Sequence, residues 1–93
     1  MDREELLQRY AAGERTFIGA DLHFANLEEV DLSGTDFRRA DLFEADLELA
    51  SLRDTDLRGA DLGGVCLVDA VLDGAIIDDD EGLQFQLGPM PTL

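Results

Sequence analysis

From residue 20 onward, apolar and polar positions recur with a period of five: ADLHF, ANLEE, VDLSG, TDFRR, ADLFE, ADLEL, ASLRD, TDLRG, ADLGG, VCLVD, AVLDG and AIIDD follow without a gap. The third position is always large and apolar, as Leu22, Leu27, Leu32, Phe37, Leu42, Leu47, Leu52, Leu57, Leu62, Leu67, Leu72 or Ile77, and the first is always Ala, Val or Thr. RTFIG extends the register backwards, with Phe17 in the large position and Arg15 breaking the small-residue rule. In a continuous helix, residues five apart are rotated by about 500°, so the Leu series winds over every face; in a continuous strand, successive Leu residues face opposite sides. A chain that turns a corner after each unit instead points its first and third positions inward.

A second-order repeat sets the size of one coil. TDFRRADL at residues 35–42 returns as TDLRGADL at 55–62, an offset of 20 residues, or four units. Phe17, Phe37, Leu57 and Ile77 then form one interior column. Leu22, Leu42 and Leu62 form the second, Leu27, Leu47 and Leu67 the third, and Leu32, Leu52 and Leu72 the fourth. Small residues such as Ala20, Ala40 and Ala60 fill the space between the large ones.

The A(D/N)Lxx pattern resembles the pentapeptide-repeat family over roughly residues 15–79 of the 93. The resemblance implies an all-β solenoid, a right-handed quadrilateral β-helix of about three coils, rising roughly 15 Å at the usual interstrand spacing. With a short N-terminal capping α-helix this makes one domain over 1–93: cap helix at 2–12, repeats at 15–79 and a tail at 80–93. The second position, Asp or Asn in the family, departs at Ser51 and then becomes Cys66, Val71 and Ile76. Either the C-terminal segment folds over these apolar groups or they belong to a subunit interface.

The ends of a stack expose unpaired edges and call for specialised caps. Asp2 and Glu5 form a capping box, Leu6, Leu7 and Tyr10 share an apolar face, and Gly13 ends the helix. After Asp79 the period is lost, and Leu83, Phe85 and Leu87 alternate with Gln84 and Gln86 before two prolines. With Val71 and Ile76 this segment either caps its own last coil or pairs with a second copy in a homodimer.

Composition restricts the partners. Seven basic against 22 acidic residues give a net charge of −15. Phosphate recognition needs concentrated Lys and Arg, so direct nucleic-acid binding is not expected and a basic protein partner is. No stretch reaches the roughly 20 apolar residues of a membrane span, and Met-Asp-Arg-Glu-Glu lacks the features of a secretory leader, so the expected location is the cytoplasm. The family impression is bacterial.

No catalytic constellation, cofactor motif or metal site is expected. One Cys and one His exclude a disulfide and a Cys/His zinc cluster. His23 reads as solvent-facing filler, and Cys66 as a surface or cap-covered hydrophobe. The carboxylate columns read as a repeat-specific polar shell with local backbone hydrogen bonds at the corners. The run Asp78-Asp79-Asp80-Glu81 lacks the spaced ligands of a calcium loop. Arg38, Arg39, Arg53 and Arg58 lie among Asp36, Asp54 and Asp56 and read as a salt network. Phe24 and Phe43 on one face, with Leu49 and Val68 on the next, form a possible interaction surface. The expected function is therefore a noncatalytic structural or protein-interaction module using the outer faces of an acidic β-helix. The resemblance adds an alternative, a DNA mimic that binds a type II topoisomerase such as gyrase. A rise of roughly 15 Å imitates only about 4 or 5 base pairs.

Overall fold

The computed structural model describes residues 1–77. Its one regular element is α1, Arg3–Ala11. From Thr16 onward the chain repeats one local path. The second residue of each unit makes an isolated parallel bridge to the residue 20 positions later: Thr16 to Asp36, Asp21 to Asp41, Asn26 to Asp46, and so on to Asp56 with Ile76. The third residue turns inward, and the fourth and fifth form a turn.

The turn explains the period. The carbonyl of the third residue accepts a hydrogen bond from the N–H three residues on, as from Ala45 to Leu42 at 2.9 Å. At the fifth position φ is positive in every unit from Gly19 to Gly74, between 54° at Glu44 and 77° at Gly74, including non-glycine Phe24, Glu29, Arg39, Glu44, Leu49, Asp54 and Asp69. A closing hydrogen bond with positive φ at the third turn residue is the signature of a type II turn. The side chain at the second position supports it. The Oδ1 atoms of Asp31, Asp41, Asp46 and Asp61 each accept from the N–H two residues on at 3.0 Å, a local hydrogen bond that Asp and Asn make readily.

This geometry corrects the expected fold class. Among the described residues there is one short helix and no β-strand or sheet, so the all-β solenoid, the right-handed quadrilateral β-helix, is not what the chain forms. The reason is local: the chain leaves the β region at the positive-φ fifth position, three residues after every bridge, so pairing stops at single residues. Successive 20-residue turns of chain are nonetheless joined by backbone hydrogen bonds, such as Leu22 N–H to Asp41 O and Asp41 N–H to Ala20 O, both 2.8 Å.

The core runs through the middle of these turns. Leu22, Leu27, Leu32, Leu42, Leu47, Leu52, Leu57 and Leu62 are almost wholly buried, with Ala40, Ala45 and Ala50 between them. Phe17 and Phe37 stack with ring centroids 5.6 Å apart. Thr35 and Thr55 take buried first positions because each hydroxyl donates to a carbonyl, Leu32 O at 2.7 Å and Leu52 O at 2.8 Å.

Helix α1 closes the N-terminal edge. Asp2 caps it by accepting from Glu5 N–H at 2.8 Å, and Leu6 is fully buried. Farther along the chain, Asp41 O, Asp46 O, Glu48 O and Arg53 O accept N–H groups from the preceding turn of chain. Their counterparts 20 residues earlier have no preceding turn above them. Asp21 O instead accepts from the N-terminal ammonium at 3.0 Å, Asn26 O and Glu28 O from Arg3 Nη1 at 3.2 and 3.0 Å, and Ser33 O from the Tyr10 hydroxyl at 2.8 Å. Four edge carbonyls are thus satisfied by the helix segment, so the edge is not left with unpaired acceptors. The Arg15 guanidinium lies 3.6 Å from the Tyr10 ring centroid and holds that side chain from the other face.

Candidate interaction surface

The turn positions carry the exposed side chains. Phe24 is fifth in its unit and Phe43 fourth in a unit one turn of chain later; Phe24 N–H donates to Phe43 O at 2.8 Å, so the two residues are backbone neighbours. Their rings meet edge to face, with centroids 5.8 Å apart, and remain 61% and 40% exposed. His23 packs edge-on against Phe24 at 5.5 Å. Gly63 lies beneath Phe43: a Cβ there would sit 3.0 Å from Phe43 Cδ2 and 3.2 Å from Asp61 Oδ1. The missing side chain lets the Phe43 ring lie close to the backbone. Leu49 and Val68 repeat the arrangement 25 residues later, joined by Leu49 N–H to Val68 O at 2.9 Å, and are 47% and 56% exposed.

Acids rim the aromatic pair. Asp21, Asp41 and Asp61 are paired in series by the bridges, and His23 hydrogen-bonds Asp21. That hydrogen bond is the main reason the Asp21 carboxyl lies below its usual range. Asp36 and Asp56 are less available. Arg38 and Arg58 each engage the second-position carboxylate of their own unit, Arg38 with Asp36 at 2.7 Å and Arg58 with Asp56 at 2.6 Å. The hydrogen bond from Arg58 holds the Asp56 carboxyl down to about 2, and that from Arg38 lowers Asp36. A shallow cleft of about 430 Å³ between Ile18, Arg38, Arg39, Arg58 and Gly59 is lined by these same arginines.

The function expected from the sequence is corrected accordingly. Both the use of broad acidic β-helix faces and the DNA-mimic alternative required a continuous β architecture, which the described residues lack. Asp36 and Asp56 are also paired with arginine.

The other sequence-derived positions separate. Val71 is half-buried opposite Ser51, and Ile76 is exposed opposite Asp56. Leu83, Phe85, Leu87 and the acidic run Asp78-Asp79-Asp80-Glu81 lie outside the described residues. His23 is exposed, as the sequence implies, but sequence reasoning missed its proximity to Asp41, which follows from the 20-residue register that the TDFRRADL repeat already displays. No helix among the described residues is long and apolar enough to cross a membrane.

Comparison with known proteins places this geometry in a family. The family model described as pentapeptide repeats (8 copies) matches residues 16–54 and 35–74. Among solved structures, the chain is 44% identical to HetL, a pentapeptide repeat protein involved in heterocyst differentiation regulation from the cyanobacterium Nostoc sp. strain PCC 7120, over 69% of this chain and 30% of HetL, with a TM-score of 0.66. The chain therefore spans less than a third of HetL's length. It is 31% identical to alr5209, a pentapeptide repeat protein from Nostoc PCC 7120, over 94% of this chain and 95% of that one, with a TM-score of 0.37. It is 29% identical to the pentapeptide repeat protein Rfr23 from the cyanobacterium Cyanothece 51142, over 69% of this chain and 54% of that one, with a TM-score of 0.29. None of the curated proteins matches. Members of the matched family are characteristically noncatalytic structural or interaction proteins. With uninterrupted repeats over the matched residues and 44% identity to HetL, the chain belongs to the pentapeptide-repeat family.

Proposed function

We propose that this chain is a noncatalytic binding module that docks a partner protein through the exposed pair Phe24 and Phe43, with Leu49 and Val68 as a second apolar pair on the next face. The observation that carries this reading is the exposed edge-to-face pair of Phe24 and Phe43, held in place by backbone hydrogen bonding between neighbouring turns of chain. Exposed aromatic rings on a rigid backbone bury a large apolar area on binding with little loss of side-chain freedom. The acidic rim of Asp21, Asp41 and Asp61 selects the partner's chemistry: a segment with an apolar side chain for the rings and a Lys or Arg beside it. The regulatory role in HetL's description belongs to HetL, and supports a binding rather than a catalytic reading here.

The test is selection of a displayed random-peptide library on the immobilised full chain, followed by titration of the selected peptides against variants. Basic-apolar sequences should be enriched, and Phe24→Ser with Phe43→Ser should weaken binding at least about tenfold, the range of a moderate interface hot spot. Peptides that bind the double variant as tightly as the parent would overturn the assignment of the patch.

A further inference from the structure

The register brings three residues together repeatedly: a second-position residue, the fourth-position residue of the same unit, and the second-position residue one turn of chain later. At Asp36, Arg38 and Asp56 this corner holds a cation supplied by the chain, since the Arg38 guanidinium contacts Asp36 at 2.7 Å and reaches Asp56 at 3.8 Å. At Asp21, His23 and Asp41 the two flanking carboxylates are the same, but the central side chain is an imidazole, which donates a lone pair when neutral. His23 Nδ1 hydrogen-bonds Asp21 Oδ1 and lies 3.7 Å from Asp41 Oδ2, and the three donor atoms all fall within 4.8 Å of one another.

We infer that Asp21, His23 and Asp41 form a binding site for one divalent first-row transition-metal ion of the Zn²⁺ class. Metal–ligand distances of about 2.0–2.2 Å put neighbouring donors roughly 3–3.5 Å apart, so only small side-chain movements are needed. One imidazole nitrogen with two carboxylate oxygens suits Zn²⁺, Co²⁺ or Mn²⁺, whereas Ca²⁺ and Mg²⁺ prefer all-oxygen sets. The three side chains are about half exposed, leaving the remaining coordination positions to water. The net charge of −15 draws cations to the surface, and the ion would replace at this corner the charge that Arg38 provides at the next. The geometrically equivalent corner at Asp46, Glu48 and Cys66 is the internal comparison.

The experiment is calorimetric titration of the full chain with Zn²⁺ and Co²⁺ at physiological salt, with the Co²⁺ ligand-field absorption followed in parallel. One ion per chain is expected, with affinity falling at least about tenfold in His23→Ala and in Asp41→Asn and unchanged in Cys66→Ser. Equal affinity in His23→Ala, loss in Cys66→Ser, or Ca²⁺ binding as tightly as Zn²⁺ would each overturn the site. Mn²⁺-induced broadening of amide resonances in the unmodified chain gives an independent reading should a variant misfold. Broadening centred on residues 21–24 and 41–43 supports the site, and broadening centred elsewhere refutes it.

Discussion

Phe37 is the most informative single side chain in the core. It is the largest fully buried residue among those described, it stacks on Phe17 at 5.6 Å, and the Leu57 position follows it 20 residues later in the same register. Truncation to Ala removes a whole ring from a packed interior whose neighbours are tied by backbone hydrogen bonds and collapse only partly, which costs about 3–5 kcal/mol. Phe37→Leu leaves a side chain like those of the other columns. It forfeits the ring pair, about 0.5–1.5 kcal/mol, and part of the buried area, for a total near 2 kcal/mol. At about 4–8 °C per kcal/mol for a chain of this size, the Leu variant should melt roughly 8–16 °C lower. The assay is urea unfolding followed by far-UV circular dichroism with thermal melts in parallel, and Phe43→Leu, on a 40% exposed ring, as the control that should change little. A loss below about 1 kcal/mol for Phe37→Ala, or equal losses at Phe37 and Phe43, would refute the packed column.

The positive φ of the fifth position predicts substitutions of opposite sign. At Leu49, φ 61°, Gly relieves a left-handed conformation and should stabilise the chain by up to about 1 kcal/mol, whereas Gly34→Ala, φ 76° with open space around the added Cβ, should cost about 1 kcal/mol from backbone strain alone; urea midpoints moving the other way would contradict the turn assignment. Asp56 supplies a pH test. Its folded carboxyl, held to about 2 mainly by the hydrogen bond from Arg58, lies below its ordinary 3.8. Its stabilising contribution is therefore complete above about pH 4 and is lost as the pH falls towards 2. Carboxyl NMR should show the Asp56 midpoint rising in Arg58→Gln, and an unmoved midpoint would separate the two groups.

Much of the local design was visible in the residues. The inward positions could be read from the five-residue spacing, because a large side chain at every third position and a small one at every first suit one repeated turn. The 20-residue offset of TDFRRADL is the offset of every bridge. The expectation of β-strands failed for a reason in the same units: residues four and five are outward, as expected, but the turn they make follows so soon after each bridge that pairing is confined to single residues. Gly19, Gly34, Gly59, Gly64 and Gly74 hinted at the conformation, but Phe24, Leu49 and Arg39 adopt it without glycine, so residue type alone did not mark the position. Acids at the second position were expected to make local backbone hydrogen bonds at the corners, and Asp31, Asp41 and Asp46 make them.

By itself the sequence determined the period, the identity of the buried columns and the family, because each depends on residue size and spacing along the chain. Only the tertiary structure decided which side chains meet across successive turns of chain: Phe24 with Phe43, His23 with Asp41, and Tyr10 with the Ser33 carbonyl. Those contacts join residues 18 to 23 positions apart, at distances set by the tightness of the turns and the angle at which the helix settles. Such quantities come from packing the whole stack at once, and no single unit encodes them.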